Sequence, residues 1–377
     1  MSMINPPLDL SPAFFIKQEL EARGWTQRDL AYILGCHEQV VNLLVSRKRG
    51  ISADMSKALG AAFDVAPDFF SNLQRSYDLS RARDPDPAVF LRARLQSSYP
   101  VREMIRRGWL DDSDHANLER QMADFFEVPR IDEIPRLPHA GRKTHYDEVP
   151  APQLAWLFRV RQIARSVVVP EYRHEHLEEC LKYLKTFLDN PEKASEVPSL
   201  LSKCGVRMVV AESLPQGKID GACFWLDSTS PVIGLSLRFD RIDNFWFVLR
   251  HEIEHVLHRD GEANAIEIID ELDGRRSAVD NDDLPAEEII ANKAAANFCV
   301  PESLMTRFIL QRGRYISERD VLLFARSLNI HPGLVVGQIH SRTGRYELLR
   351  RHLVKVRQFV LANAVVDGWG HVFPVAG

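Results

Sequence analysis

Two histidines and a glutamate form the first pattern in this chain that could do chemistry. His251, Glu252 and His255 follow the spacing H-E-x-x-H. On a helix this spacing places both imidazole rings on one face, where they can bind a single zinc ion. Glu252 follows the first histidine directly and could act as general base on an attacking water. Apolar residues flank the motif and predict a largely buried helix, in which these polar groups would be costly without a metal.

A catalytic zinc site needs a third protein ligand. Glu288 lies near the start of the next predicted helix, 33 residues after His255, and is the candidate for this place. Asn292, one turn further on, could hydrogen-bond to a ligand histidine and orient it. His258 is the alternative third ligand. Metzincins need a glycine at this position, so the presence of His258 excludes that class of metallopeptidase. Two further histidines could donate to a transition state, but the sequence assigns them no role: His331 and His340.

Near the other end of the chain, two short predicted helices around Gly35 indicate a helix-turn-helix. Thr26 can cap the first of them, and Gly35 suits the left-handed backbone that such a turn requires. Ala31 is small where the two helices must approach closely. We expect four apolar side chains to fill the core between the helices: Ile33, Leu34, Val41 and Leu44.

Polar side chains at the start of the second of these helices predict base contacts in a major groove. Asn and Gln can pair with adenine edges, and Glu can accept a hydrogen bond from cytosine. A basic run directly after the helix, and a glutamine that opens the first one, suit phosphate contacts. The predicted DNA contacts are Gln27, Glu38, Gln39, Asn42, Arg47, Lys48 and Arg49. The alternative interpretation is a five-helix core whose polar faces are only solvated.

Stretches 19–31 and 72–79, together with Gly35, resemble the Xre-type helix-turn-helix of HigA-like antitoxins and regulators. The resemblance implies a DNA-binding repressor, a homodimer, that recognises operator DNA and could have a toxin partner. In that family a small Ser or Thr often stands near the start of the recognition helix, where this chain has His37 and Glu38.

Residues 240–247, the H-E-x-x-H motif and the E-x-x-A-N at 288–292 resemble the ImmA/IrrE zinc metallopeptidases. Carried over, the resemblance makes His251, His255 and Glu288 ligands of Zn2+ and Glu252 the catalytic base of an endopeptidase that cleaves a protein. The family commonly has Gly directly before the second histidine, where this chain has Glu254.

The order of helical and strand-like patterns along the sequence predicts a multidomain chain. An all-α helix-turn-helix domain is followed by an α+β, zincin-like metallopeptidase domain, because helical periodicity gives way to helices mixed with strand-like runs. Prolines mark the region between them: residues 85–152 hold eight of the 21 in the chain. The predicted domains are 8–83 (helix-turn-helix), 84–150 (proline-rich helical connector), 151–345 (metallopeptidase) and 346–377 (C-terminal extension).

Smaller features complete the prediction. Strands are expected at 206–210, 221–226 and 232–237, and the last of these could take a substrate by strand addition. The loop 266–288 holds nine acidic and two basic side chains, and we favour a solvated insertion over a lid.

Composition restricts the classes of function. Hydrophobic residues make up 45% and charged residues 27%, as in a soluble globular protein, and no apolar run is long enough for a membrane span. The net charge of −4 excludes a uniformly basic nucleic-acid binder but leaves room for one basic face. The five cysteines include no C-x-x-C, which excludes a cysteine zinc knuckle and favours a cytoplasmic location without disulfides.

The sequence therefore predicts a DNA-binding transcriptional regulator, antitoxin-like, with a zinc-dependent endopeptidase domain that cleaves a repressor or another regulatory protein. A non-enzymatic repressor or antitoxin, whose zinc domain is structural or senses a signal, is the first alternative. An enzyme whose N-terminal domain binds only protein is the second.

Overall fold

The computed structural model describes residues 11–111, 117–133, 149–260, 262, 268–270, 285–313 and 315–367. The chain divides into two compact units, of which the first ends at Pro87 and the second begins at Ala88. In the described residues no helix is both long enough and apolar enough to cross a membrane.

In its described part, from residue 11 onwards, the first unit contains five helices. Serine and threonine side chains cap three of them at their N-termini, and Thr26 forms a reciprocal capping box with Asp29, as the sequence predicts for the Thr26 cap. Gly35 has a φ of 63° and ends α2 in the left-handed conformation, so the predicted turn is confirmed. The helices are α1 (Pro12–Arg23), α2 (Gln27–Leu34), α3 (Glu38–Val45), α4 (Ala53–Phe63) and α5 (Phe69–Arg81).

The core of the first unit differs from the prediction at one position. Leu30, Ala31 and Val41 are buried between the helices, but Ile33 is 44% exposed. Leu30 and Leu34 lie one helical turn apart and face the core together, whereas Ile33 precedes Leu34 by about 100° around the helix. The prediction that Ile33 fills the core is therefore wrong.

The second unit is α+β, in agreement with the predicted fold class. Its strands are β1 (Arg207–Ala211), β2 (Gly221–Trp225), β3 (Pro231–Leu235), β4 (Ile268–Asp270) and β5 (Val365–Asp367). The helices that precede the sheet are α6 (Pro87–Ser98), α7 (Val101–Arg106), α8 (Leu118–Phe125), α9 (Ala151–Ser166), α10 (His174–Lys185) and α11 (Val197–Lys203). Those that follow β3 are α12 (Ile242–His258), α13 (Ala286–Cys299), α14 (Glu302–Arg312), α15 (Glu318–Leu328), α16 (Pro332–Thr343) and α17 (Arg357–Val360).

The strands form one mixed sheet in the order β4-β2-β3-β1-β5. β1 runs parallel to β3 and β5, while β2 runs antiparallel to β3 and β4. The sequence predicts β1, β2 and β3. It does not predict β4 and β5, because three residues are too few to show the alternation of a strand. Because β3 has a neighbour on each side, it has no open edge, and the predicted addition of a substrate strand at 232–237 is wrong.

Two apolar clusters contribute to the core of the second unit. The cluster around α12 also contains α10, α11 and α13 to α17. The other is built on α9, where Trp156 packs on β3 because Gly234 has no side chain: a Cβ there would lie 2.7 Å from the indole Cη2. Helices α6 to α8 contribute buried side chains to this second cluster. The stretch predicted as a connector thus helps to cover the sheet, and the bounds of the four predicted domains stay predictions. The acidic loop 266–288, apart from the backbone of β4 and residues 285–288, lies outside the described residues.

Candidate functional site

Helix α12 carries the H-E-x-x-H motif and packs against β2 and β3. It begins after Arg241, whose guanidinium forms an ion pair with the carboxylate of Asp243 in the first turn. It ends at Arg259, which takes a left-handed φ of 56° and donates its backbone N–H to the carbonyls of the last turn. The motif lies on the side of the helix that faces the core, and His251, Glu252 and His255 are all buried.

The side chains of His251, His255 and Glu288 converge at one point. The Nε2 atoms of the two histidines are 3.0 Å apart. Glu288, on the first turn of α13, brings Oε2 to 3.3 Å from Nε2 of His251 and Oε1 to 3.5 Å from Nε2 of His255. Since α13 packs along α12, a contact between helices distant in sequence completes the cluster.

This donor set fits a divalent metal of the zinc type. Metal–ligand bonds of about 2.0–2.2 Å, arranged tetrahedrally, place their donor atoms about 3.3–3.6 Å apart. The three measured separations, 3.0, 3.3 and 3.5 Å, are close to that range. Two neutral imidazoles and one carboxylate are also a donor set of catalytic zinc sites, which keep a further coordination position open. All three residues are buried, and the described part of the chain contains no other such group.

Glu252 lies between the helix and the sheet. Its carboxylate is fully buried against Gly221 of β2, where an added Cβ would come within 2.2 Å of Oε1. The same Cβ would approach Cγ1 of Val248 to 2.8 Å. A glycine at 221 is therefore required for Glu252 to occupy this place beside the two histidines.

The other predicted residues of the centre lie in different surroundings. Asn292 is half-buried one turn after Glu288, and its orienting role stays a prediction. The side chain of Asp260 contacts Nδ1 of His255. His258 is half-exposed, with Nδ1 3.0 Å from the carbonyl oxygen of Glu254, and does not join the cluster.

The two histidines without an assigned role are structural in their contacts. His331 caps α16, with Nδ1 accepting the backbone N–H of Gly333. His340 is buried, with Nε2 2.6 Å from the carbonyl of Leu348. Burial lowers the pKa of both imidazoles below the usual value of histidine.

The predicted DNA contacts share one region of the first unit. Glu38, Gln39 and Asn42 are exposed on α3, and Gln27 is half-buried at the start of α2. The basic residues 47–49 are exposed just after α3 and line a cavity of about 430 Å3 together with Arg81. The sequence missed one feature: Arg28 of α2 forms an ion pair with Glu38, Nε to Oε2 3.2 Å, which offsets the negative charge on the recognition helix.

Comparison with known proteins follows the same division. Residues 16–70 match the family model described as helix-turn-helix, and residues 205–332 match the peptidase M78 model, described as the IrrE N-terminal-like domain. The chain joins an Xre-like helix-turn-helix domain to an IrrE-like domain. It is also similar to the Virulence-associated protein A' of Dichelobacter nodosus, with 36% identity over 80 residues, which are 21% of this chain and 67% of that protein. No solved structure matches the chain.

The helix-turn-helix/IrrE-like fusion thus carries a DNA-binding type of domain and a peptidase-like domain with a buried His-His-Glu cluster. The sequence did not indicate the role of two residues beside the His-His-Glu cluster. Gly221 sits in an Asp-Gly-Ala run that marks a strand but does not reveal its contact with Glu252. Asp260 follows the helix as one of many acids, and its spacing of five from His255 has no simple helical meaning because the helix has ended.

Proposed function

We propose that this protein is a transcriptional regulator whose C-terminal unit is a zinc-dependent endopeptidase acting on a regulatory protein. The observation that carries the proposal is the convergence of His251, His255 and Glu288 beside the buried carboxylate of Glu252. A purely structural zinc site usually closes its fourth position with a protein ligand and has no need for an acid next to the first histidine.

The chemistry follows from the donor set. His251, His255 and Glu288 would hold Zn2+, which when bound supplies a Lewis acid for the scissile carbonyl and lowers the pKa of water. Glu252 would take the proton from the attacking water and return it to the leaving amine, so its carboxylate acts first as base and then as acid. The tight fit against Gly221 fixes the direction in which this carboxylate can face.

The first unit supports the regulatory half of the proposal. Gln39 and Asn42 offer amide groups on the exposed side of α3, in the positions where a recognition helix meets base edges. Residues 47–49 and Arg81 bring four cations to one cavity, which suits the phosphates on either side of the groove. We propose that a homodimer binds a palindromic operator, and that a toxin is an alternative protein partner.

The test is a substrate trap in the full chain. Glu252→Gln should retain fold, zinc and DNA binding but abolish cleavage, because only the acid–base group is lost, and it should hold the substrate in a pull-down. Glu254→Gln is the matched control: Glu254 lies on the same helix, but its carboxylate faces Arg250, with Oε2 2.7 Å from Nη2. The control should cleave like the wild type.

A reporter of the target genes separates the enzymatic function from a structural or sensory zinc domain. If the protein is a protease, strains with Glu252→Gln and His251→Ala should have the same regulatory defect. Normal regulation with Glu252→Gln beside a defect with His251→Ala would contradict the proposal and favour the non-enzymatic repressor.

A further inference from the structure

The ring of His255 faces two different partners. Its Nε2 belongs to the convergent cluster, 3.0 Å from Nε2 of His251 and 3.5 Å from Oε1 of Glu288. Its Nδ1 lies 2.9 Å from Oδ2 of Asp260. Asp260 keeps about a quarter of its side chain exposed, whereas His255 is fully buried. The two nitrogens are thus divided between the cluster and one outlying carboxylate.

This division determines the tautomer of the ring. A neutral imidazole has one N–H donor and one acceptor nitrogen, while an ionised carboxylate only accepts. With Asp260 as partner, the proton belongs on Nδ1, and the lone pair of Nε2 is directed into the cluster. A metal ligand needs this arrangement, because the ligating nitrogen must be unprotonated.

The backbone of Asp260 is fixed from two sides. Its N–H donates to the carbonyl of His255 at 2.9 Å, which closes the end of α12. Its carbonyl accepts a hydrogen bond of 3.2 Å from Nε1 of Trp225, the last residue of β2. The sheet therefore holds the turn that carries Asp260.

Arg259, the residue before Asp260, also contacts the end of β2. Arg259 places its guanidinium carbon 4.7 Å from the centroid of the Trp225 ring and donates from Nη2 to the carbonyl of Ser228 at 2.6 Å. Its left-handed backbone turns the chain away from the helix axis directly before Asp260. The last turn of the helix and the end of β2 thus contact Asp260, and the loop after β2 contacts the preceding Arg259.

We propose that Asp260 is a positioning residue for the metal centre, which orients His255 and fixes its tautomer, and that Trp225 and Arg259 hold Asp260 in place. This role rests on the proposed function, because it requires that His255 binds a metal. Carboxylates that hydrogen-bond to ligating histidines typically change metal affinity 10- to 100-fold when removed.

The test uses the full chain with Zn2+ and Co2+ as probes. Zinc affinity is measured by competition with a chromophoric chelator, and the visible absorption of the Co2+ form reports ligand geometry. Asp260→Asn should weaken zinc about 10- to 100-fold and change the Co2+ spectrum. Trp225→Phe keeps an aromatic ring but removes the donor to Asp260, and it should give a smaller loss in the same direction.

The control is Glu254→Gln, which removes the same charge next to His255 in sequence but leaves the Asp260 contact intact. It should keep the wild-type affinity and Co2+ spectrum. Wild-type affinity and an unchanged Co2+ spectrum in a folded Asp260→Asn variant would overturn the proposal for Asp260. Failure of the wild-type chain to bind either metal would instead overturn the proposed function, so the two failures are distinct.

Discussion

The proposed DNA contacts and the metal centre differ in how the chain assembles them. The DNA contacts fall within residues 27–49, on two consecutive helices and the turn after them. The proposed metal centre combines β2, α12, the turn after α12 and α13, and its third proposed ligand lies 33 residues from the second. The proposed DNA contacts depend on which side chains a local surface exposes. The proposed metal centre depends on how segments distant in sequence pack together.

The glycines of the two regions show the consequence. A Cβ at Gly50 would meet only the flexible end of Gln74, at 3.7 Å or more, whereas a Cβ at Gly221 would overlap the carboxylate of Glu252. An exposed surface can accommodate an extra methyl group, whereas the packed contact between Gly221 and Glu252 leaves no space for one.

The largest effect should therefore come from Gly221→Ala. Overpacking against Glu252 and Val248 should lower the free energy of unfolding by about 1–3 kcal/mol and displace the proposed base, with loss of peptidase activity. Chemical denaturation and a cleavage assay would measure both effects. Gly50→Ala is the matched control in the other region, and stability losses of equal size in the two variants would remove the contrast drawn here.

The DNA-contact region should respond by loss of specific contacts instead of loss of packing. Asn42→Ala should cost about 1–3 kcal/mol of discrimination at one base pair and leave stability nearly unchanged, because Asn42 is exposed. Lys48→Ala should weaken all duplexes alike and reduce the salt dependence of binding. Titrations of selected duplexes at several salt concentrations would show this. The same uniform loss in both variants would contradict base reading by Asn42.

A smaller effect concerns the segment predicted as a connector. The guanidinium groups of Arg106 and Arg107 lower the pKa of Glu103 to about 2, while Arg107 also donates to the carbonyl of Ser213 at 3.0 Å, just after β1. A lowered folded-state pKa adds stability above the ordinary pKa of about 4.5, and this is lost as the pH falls towards 2. Urea midpoints should therefore fall more steeply with acid between these values in the wild type than in Glu103→Gln. Parallel midpoint curves for the two proteins would show that the ion pairs of Glu103 add no stability.

The sequence was sufficient for local features and insufficient for contacts between distant segments. The cap at Thr26, the turn at Gly35 and the spacing of the two motif histidines follow from rules that span four or five residues. Fold class and the two family resemblances were also predicted and are confirmed by the family models. Convergence of Glu288 with the histidines agrees with the predicted ligand set, although its role as a ligand stays a prediction.

What the sequence could not give depends on tertiary pairing. β5 has three residues and is a strand because β1 offers it an edge, which no pattern in 365–367 reveals. The pairings of β3 with β1 on one side and β2 on the other leave it enclosed, so the proposed substrate edge was misplaced. Asp260 contacts His255 because Trp225 and Arg259 fix the turn after the helix, and helical spacing does not extend to such a turn.

The proposed ligand set can be tested by the zinc content of the purified full chain and four variants, measured by elemental mass spectrometry after equilibration with Zn2+. The wild type and Glu252→Gln should each hold about one zinc per chain, and His258→Ala should match them. His251→Ala and Glu288→Ala should lose most of the metal, because each removes a donor atom from the cluster. Full zinc in Glu288→Ala together with loss in His258→Ala would show that His258, and not Glu288, is the third ligand.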